Sequence, residues 1–143
     1  MKVTLNGSCL CGEVCYAVTG EPQRFYHCHC TRCRKSSGAG HASNLIITGA
    51  QLIFSRGESL LKRYKVVKAK RFARQFCNNC GAAVARFVPE LDAVVVPAGS
   101  LDCEAPTKPQ ARIFWDSRAE WSCDGDKLPR YAEYPSIAQD PGR

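Results

Sequence analysis

Apolar and polar positions alternate in short runs along this 143-residue chain. Glu13-Val14-Cys15-Tyr16-Ala17-Val18 alternates and closes at Gly20-Glu21-Pro22, and Arg24 to Cys28 forms a second, aromatic-rich run. Asn44 to Thr48 stops at Gly49, and Leu52-Ile53-Phe54 stops at Gly57. Leu60 to Val67 and Arg71 to Phe76 read as two arms with basic outer faces. Ala82 to Val88 ends at Pro89, and Ala93-Val94-Val95-Val96, ending at Pro97, predicts a buried strand. Runs of this length, punctuated by Gly and Pro, predict a mainly β domain of small coiled sheets with little helix. One helical turn is expected, over Thr31 to Ser37.

From Pro106 the pattern loosens. Trp121, Leu128, Tyr131 and Tyr134 are spread through polar sequence with Pro129 and Pro135. This predicts an irregular C-terminal tail laid over the sheet by aromatic anchors. Neither a repeat nor a low-complexity linker divides the chain, so residues 1–138 are expected to form a single domain and 139–143 a frayed end.

Twenty Lys and Arg against thirteen Asp and Glu give a formal charge of +7. That excess suits an anionic small molecule, nucleic acid or plain solubility. Its densest part runs from Lys62 to Arg74, where Val66, Val67, Ala69, Phe72 and Ala73 interrupt the basic residues. Those interruptions suit strands rather than a disordered basic arm. Basic and aromatic residues do not interleave as in a single-strand platform, which argues against nucleic acid. The first seven residues lack the apolar core of a signal peptide, and no apolar run approaches a bilayer span. The expected setting is cytoplasmic, where thiols stay reduced and clustered cysteines favour metal over disulfides.

The chemistry is concentrated in cysteine. Seven of ten fall into three groups, Cys9-Leu10-Cys11, Cys28-His29-Cys30-Thr31-Arg32-Cys33 and Cys77-Asn78-Asn79-Cys80. Residues two apart on a strand share a face, so Cys9 with Cys11, and Cys28 with Cys30, can each aim two sulfurs at one ion. Cys77 to Gly81 reads as a tight turn whose backbone N–H groups point at thiolates. The simplest pairing joins Cys9, Cys11, Cys77 and Cys80 around one zinc; Cys77 and Cys80 could instead join two of the middle cluster. The middle three then hold a second, more labile zinc with an open position. The competing reading closes that position with His27, His29 or His41, of which His27 and His29 face away from the sulfurs. Cys15, Cys103 and Cys123 are expected to be small buried apolar residues.

Gly7-Ser8-Cys9-Leu10-Cys11-Gly12, Cys28 to Ala39, Phe76 to Gly81, Gly99-Ser100-Leu101-Asp102, Trp121 and Leu128-Pro129-Arg130-Tyr131 together resemble the family of glutathione-dependent formaldehyde-activating enzymes. That family includes the zinc-binding domain of centromere protein V. The resemblance implies a β-tent fold, structural zinc on Cys9, Cys11, Cys77 and Cys80, and a catalytic zinc on Cys28, Cys30 and Cys33. It implies a carbon–sulfur lyase that adds glutathione, or another small anionic thiol, to formaldehyde. Arg34, Lys35 and Arg74 are candidates to hold the substrate's carboxylates, being close in sequence to Cys33 and Cys77. Arg112 and Lys65 depart from the family's frequent His and Ser. The alternatives are a non-catalytic zinc module that binds protein or nucleic acid through a basic face, and a methionine-sulfoxide-reductase-like enzyme, which needs a reactive cysteine such as Cys103 or Cys123.

Overall fold

Two long strands carry the fold. The computed structural model describes residues 1–136, so the end expected to fray lies outside the described residues. Strand β1 is Val3–Ser8, β2 is Cys15–Cys28, helix α1 is Thr31–Ser37, and β3 is Ala42–Arg56. Strands β4 (Leu61–Lys65), β5 (Ala73–Cys77), β6 (Arg86–Val88), β7 (Ala93–Pro97) and β8 (Ala111–Ile113) complete the set, with short 3-10 turns between and after them. The architecture is mainly β, as the alternation predicts, and α1 spans the residues expected of it.

One sheet runs β1-β2-β3-β7-β6, with β8 added in parallel to the end of β2; β4 and β5 form a separate two-stranded sheet. The structure corrects the expected strand count, because four short runs fuse into two strands. Gly20 and Pro22 do not end a strand; they sit at register shifts in the pairing of β2 with β3. Bulges bend a strand without breaking it. Gly20 is required there, since a Cβ would press on the Ile47 side chain and the Thr48 carbonyl. Gly49 likewise takes a positive φ of 53° inside β3. The run Ala82 to Val88 yields only three strand residues, and the arms at 60–76 shorten to a hairpin of two five-residue strands, β4 and β5, whose tip exposes Val67.

The core gathers Leu5, Val14, Tyr16, Val18, Phe25, Leu45, Ile47, Val84, Val94 and Val96, with Cys9 and Cys77 inside it. Ala93 to Val96 are all buried, as a continuous apolar run requires. The tail departs from expectation. Trp121 is 75% exposed, and Leu128 and Tyr131 are exposed as well, so burial of these side chains does not anchor it. The tail is held instead by the pairing of β8 with β2, by Trp115 against His29 and by small residues further on. Ala119 is buried, and Gly40 lies so close to Ser122 that a Cβ would overlap the serine side chain. No helix of the described residues is long and apolar enough to cross a membrane.

Candidate metal centres and the cavity beside them

The turn after β1 and the turn after β5 bring four sulfurs together. Those of Cys9, Cys11, Cys77 and Cys80 all lie within 4.8 Å of one another. The Cys9–Cys11 and Cys11–Cys77 sulfurs are 3.6 and 3.9 Å apart. A tetrahedral zinc with Zn–S bonds of about 2.3 Å has sulfur–sulfur edges of about 3.8 Å. The donor set thus fits a four-thiolate metal, and all ten cysteines are free thiols. Cys77 and Cys80 therefore join the N-terminal pair, not the middle cluster.

Amide donors surround this group. Val14 N donates to Cys9 Sγ at 3.2 Å, and Asn79 Nδ2 to Cys11 Sγ at 3.3 Å. The Asn79 amide holds the Cys11 thiol below its ordinary range. The backbone amides of Ala82 and Cys11 bring Cys80 down to about 6. Burial pushes Cys9 up to about 11. Hydrogen bonds to the charged form favour thiolate, and burial opposes it. Positive φ at Gly12 (78°) and Gly81 (75°) closes the two turns, and Gly81 N donates to the Cys77 carbonyl at 2.7 Å.

The end of β2 and the start of α1 build the second group. The Cys28, Cys30 and Cys33 sulfurs lie within 4.8 Å of one another, and no histidine or carboxylate among the described residues joins them. Cys30 is the N-cap of α1, its sulfur accepting from Cys33 N at 3.3 Å. The Cys33 thiol, as hydrogen-bond donor, helps bring Cys28 down to about 6, while Cys33 itself is driven up by that same bond and by burial. One thiolate forms readily here, and a cation is needed to draw out the others. The three sulfurs fit a metal that keeps a position free.

The histidines form a wall behind the triplet. His29 is 2% exposed, and both of its ring nitrogens are enclosed without a hydrogen-bond partner. His41 stacks on His27 at 4.0 Å, and the His29 ring centre lies 5.1 Å from those of His41 and Trp115. Burial lowers the imidazole pKa of His27 and His29, favouring their neutral forms. Arg112 and Arg118 lie over the Trp115 ring, at 5.5 and 4.8 Å from its centre. His29 N also donates to the Ile113 carbonyl at 2.9 Å, tying the cysteine strand to β8.

Two cavities meet at Cys33. One, of 580 Å³, is lined by Cys28, Cys30 and Cys33 together with Arg71, Phe72 and Phe114 among others. The other, of 450 Å³, reaches Cys33 past Ser37, His41, Arg74 and Gln75. Arg74 thus stands at the site, though its Nη2 donates to the Gly81 carbonyl at 3.1 Å. Arg34 and Lys35 line neither cavity: Lys35 is exposed, and Arg34 has its Nε enclosed in the fold. Arg32, Lys70, Arg71 and Arg86 line the walls instead. A basic residue within the apolar run Ala82 to Val88 was the sequence signal for Arg86. Of the three leftover cysteines, Cys103 is exposed, against expectation, lying between the core contacts of Leu101 and Ala105; Cys15 and Cys123 are partly buried.

Comparison with known proteins places these features in a wider set. The family profile described as glutathione-dependent formaldehyde-activating enzyme matches residues 4–117. A Halomonas elongata protein named as a candidate glutathione-dependent formaldehyde-activating enzyme is 31% identical over 147 aligned positions, covering 94% of this chain and 92% of its own. A crystal structure of a Rhodobacter sphaeroides protein shares the fold with a TM-score of 0.55 at 19% identity, over 76% of this chain and 99% of that one.

Proposed function

Because the chain belongs to the glutathione-dependent formaldehyde-activating enzyme family, we propose that it is a zinc-dependent carbon–sulfur lyase that forms and cleaves S-hydroxymethylglutathione or a closely related thiol adduct. The observation that carries this reading is a three-sulfur group, with no fourth protein donor among the described residues, on the wall of a 580 Å³ cavity. In this reading Cys9, Cys11, Cys77 and Cys80 hold a structural zinc, and the pair of sheets is the family's β-tent. Cys28, Cys30 and Cys33 would hold the second zinc, which would supply a Lewis acid able to keep a substrate thiol as thiolate near neutral pH.

The chain's own residues do the rest. The cavity receives the thiol with its sulfur toward the triplet and formaldehyde alongside. The thiol gives up its proton to water on becoming thiolate. The sulfur attacks the carbonyl carbon, a C–S bond forms, the π pair moves to oxygen, and that oxygen takes one proton back from water, so none is gained or lost overall. Cleavage reverses each step. His27, His29 and His41 form a largely apolar backing that holds the Cys28–Cys30 segment in place. Arg74 holds an anionic end of the thiol, and Arg34 and Lys35 add positive potential from outside the cavity. A reducing, cytoplasmic setting keeps all seven thiols available.

The test is the rate of hemithioacetal formation from glutathione and formaldehyde, followed by exchange NMR with zinc-replete protein. Acceleration over the spontaneous reaction, lost in Cys30→Ser, is the expected result. A rate equal to the protein-free control refutes the named activity.

A further inference from the structure

Five side chains line both cavities: Cys33, Asn44, Phe72, Arg86 and Val95. Arg86 is the charged one. It begins β6 and pairs with Val95 of β7, which fixes its backbone on the main sheet. Its Nη1 is enclosed and has no hydrogen-bond partner. Among the described residues the ion pairs are Arg118–Glu120 and Lys127–Asp124, so no carboxylate pairs with Arg86. Burial and the Arg63 charge both work against its cationic form, while Cys33 and Glu90 favour it.

Arg86 is half-buried with its Nη1 enclosed, and a partly desolvated guanidinium without a counter-charge is costly. It persists where an anion arrives. The surrounding wall repeats the message, since Arg32, Lys70, Arg71 and Arg74 line the two cavities with Arg86 and no Asp or Glu does. The anion has two possible sources, the cysteine triplet or a bound ligand. Three thiolates and one divalent cation leave a single negative charge, which does not match five cationic side chains. The planar fork of Arg suits a carboxylate.

We propose that Arg86 is the carboxylate anchor of this site, binding a carboxylate of a thiol whose sulfur lies at the Cys28–Cys30–Cys33 group. This rests on the thiol-adduct reading above and narrows it to thiols that carry a carboxylate. Neutral thiols such as 2-mercaptoethanol are then poor ligands, whatever their sulfur can do.

The test separates the anchor from the reaction by using a ligand whose sulfur is blocked. S-methylglutathione retains both carboxylates, and its diethyl ester has them capped. Each is titrated into zinc-replete protein and followed by NMR. The wild-type chain is expected to bind the acid about tenfold or more tightly than the ester, the scale of a charged hydrogen-bonded pair. Arg86→Gln weakens the acid by a similar factor and leaves the ester unchanged, with zinc content unaltered. Arg86→Lys recovers only part of the loss.

Equal binding of acid and ester by the wild type overturns the proposal, as does absence of binding by the acid, and neither result depends on a variant folding. It is also overturned if folded Arg86→Gln binds the acid as wild type does, or loses only zinc; the guanidinium then serves the thiolates. An acid-over-ester preference that needs Arg86, without acceleration of hemithioacetal formation, keeps the anchor and rejects the reaction. Acceleration without the preference does the reverse.

Discussion

Asn79 donates its side-chain amide to the Cys11 sulfur at 3.3 Å, joining two turns that lie 68 residues apart. This bond links the N-terminal cysteine pair to the hairpin of β4 and β5 independently of any metal. It also holds the Cys11 thiol below its ordinary pKa range. Asn79→Ala removes the donor, so the Cys11 pKa rises and protons compete with metal at higher pH. The midpoint of acid-induced metal release is expected to move upward, with affinity near neutral pH falling roughly tenfold. Metal release against pH, read with a chromophoric chelator, checks this; an unchanged midpoint contradicts it.

The two sulfur groups are expected to divide structural and chemical roles. Cys9 and Cys77 are buried in the main core, whereas Cys30 caps a seven-residue helix beside a cavity. Cys77→Ser should therefore lower the melting temperature by roughly 10 °C, the shift that a loss of about 3 kcal/mol produces in a domain of this size. Cys30→Ser should leave the melting temperature within a few degrees, about 1 kcal/mol or less, while abolishing any rate enhancement. Calorimetry on the zinc-loaded variants distinguishes them, and equal losses in both refute the division.

Much of the site was legible because it rests on local rules. Cysteines at one- and two-residue gaps announce shared metal ligands whatever surrounds them, and the turn after Cys30 predicts α1. What was not legible depends on tertiary context. Gly20 and Pro22 carry the local chemistry of a turn, yet β3 holds them in bulges because β2 has a partner along its length. Trp121 looks like an anchor from composition yet is exposed, while Gly40 packs against Ser122, a contact that no periodicity marks. Arg86 acquires meaning only when β6 and the β4–β5 hairpin face the same cavity. Arg34 and Lys35 illustrate the converse, since closeness to Cys33 in sequence leaves them off the cavity walls.

The Gly40–Ser122 contact yields a test by double-mutant cycle. Gly40 is buried, and a Cβ there would overlap Ser122 Cβ and Oγ. Gly40→Ala should destabilise by about 1–3 kcal/mol, the usual cost of overpacking. Ser122→Gly makes room but forfeits the bond from Ser122 Oγ to the Ala119 carbonyl, at 2.8 Å, worth about 1 kcal/mol. The double variant should be more stable than the sum of the two losses predicts, by more than about 0.5 kcal/mol. Urea denaturation of the four proteins measures the coupling; additive losses show that the tail does not dock here.

Tyr16 provides a prediction about alkaline stability. Its side chain is buried, with the hydroxyl 2.6 Å from Ser100 Oγ, and Ser100 Oγ in turn donates to the Pro97 carbonyl at 2.7 Å. The phenol therefore donates to Ser100. Burial pushes the Tyr16 pKa up from 10 to about 12, although the Ser100 bond opposes the shift. Above the ordinary value the unfolded chain loses this proton first, so the folded state binds more protons and stability falls as pH rises. The contribution is whole below about pH 10 and is lost on the way to about 12. Tyr16→Phe removes that dependence and, near neutral pH, costs about 1 kcal/mol for the lost hydrogen bond, while Ser100 keeps its bond to Pro97. Wild type should thus be the more stable protein at neutral pH, and the gap should narrow steadily above pH 10. Paired urea titrations from neutral to alkaline pH read it out, and a gap that stays constant across that range contradicts the assignment of the shift to Tyr16.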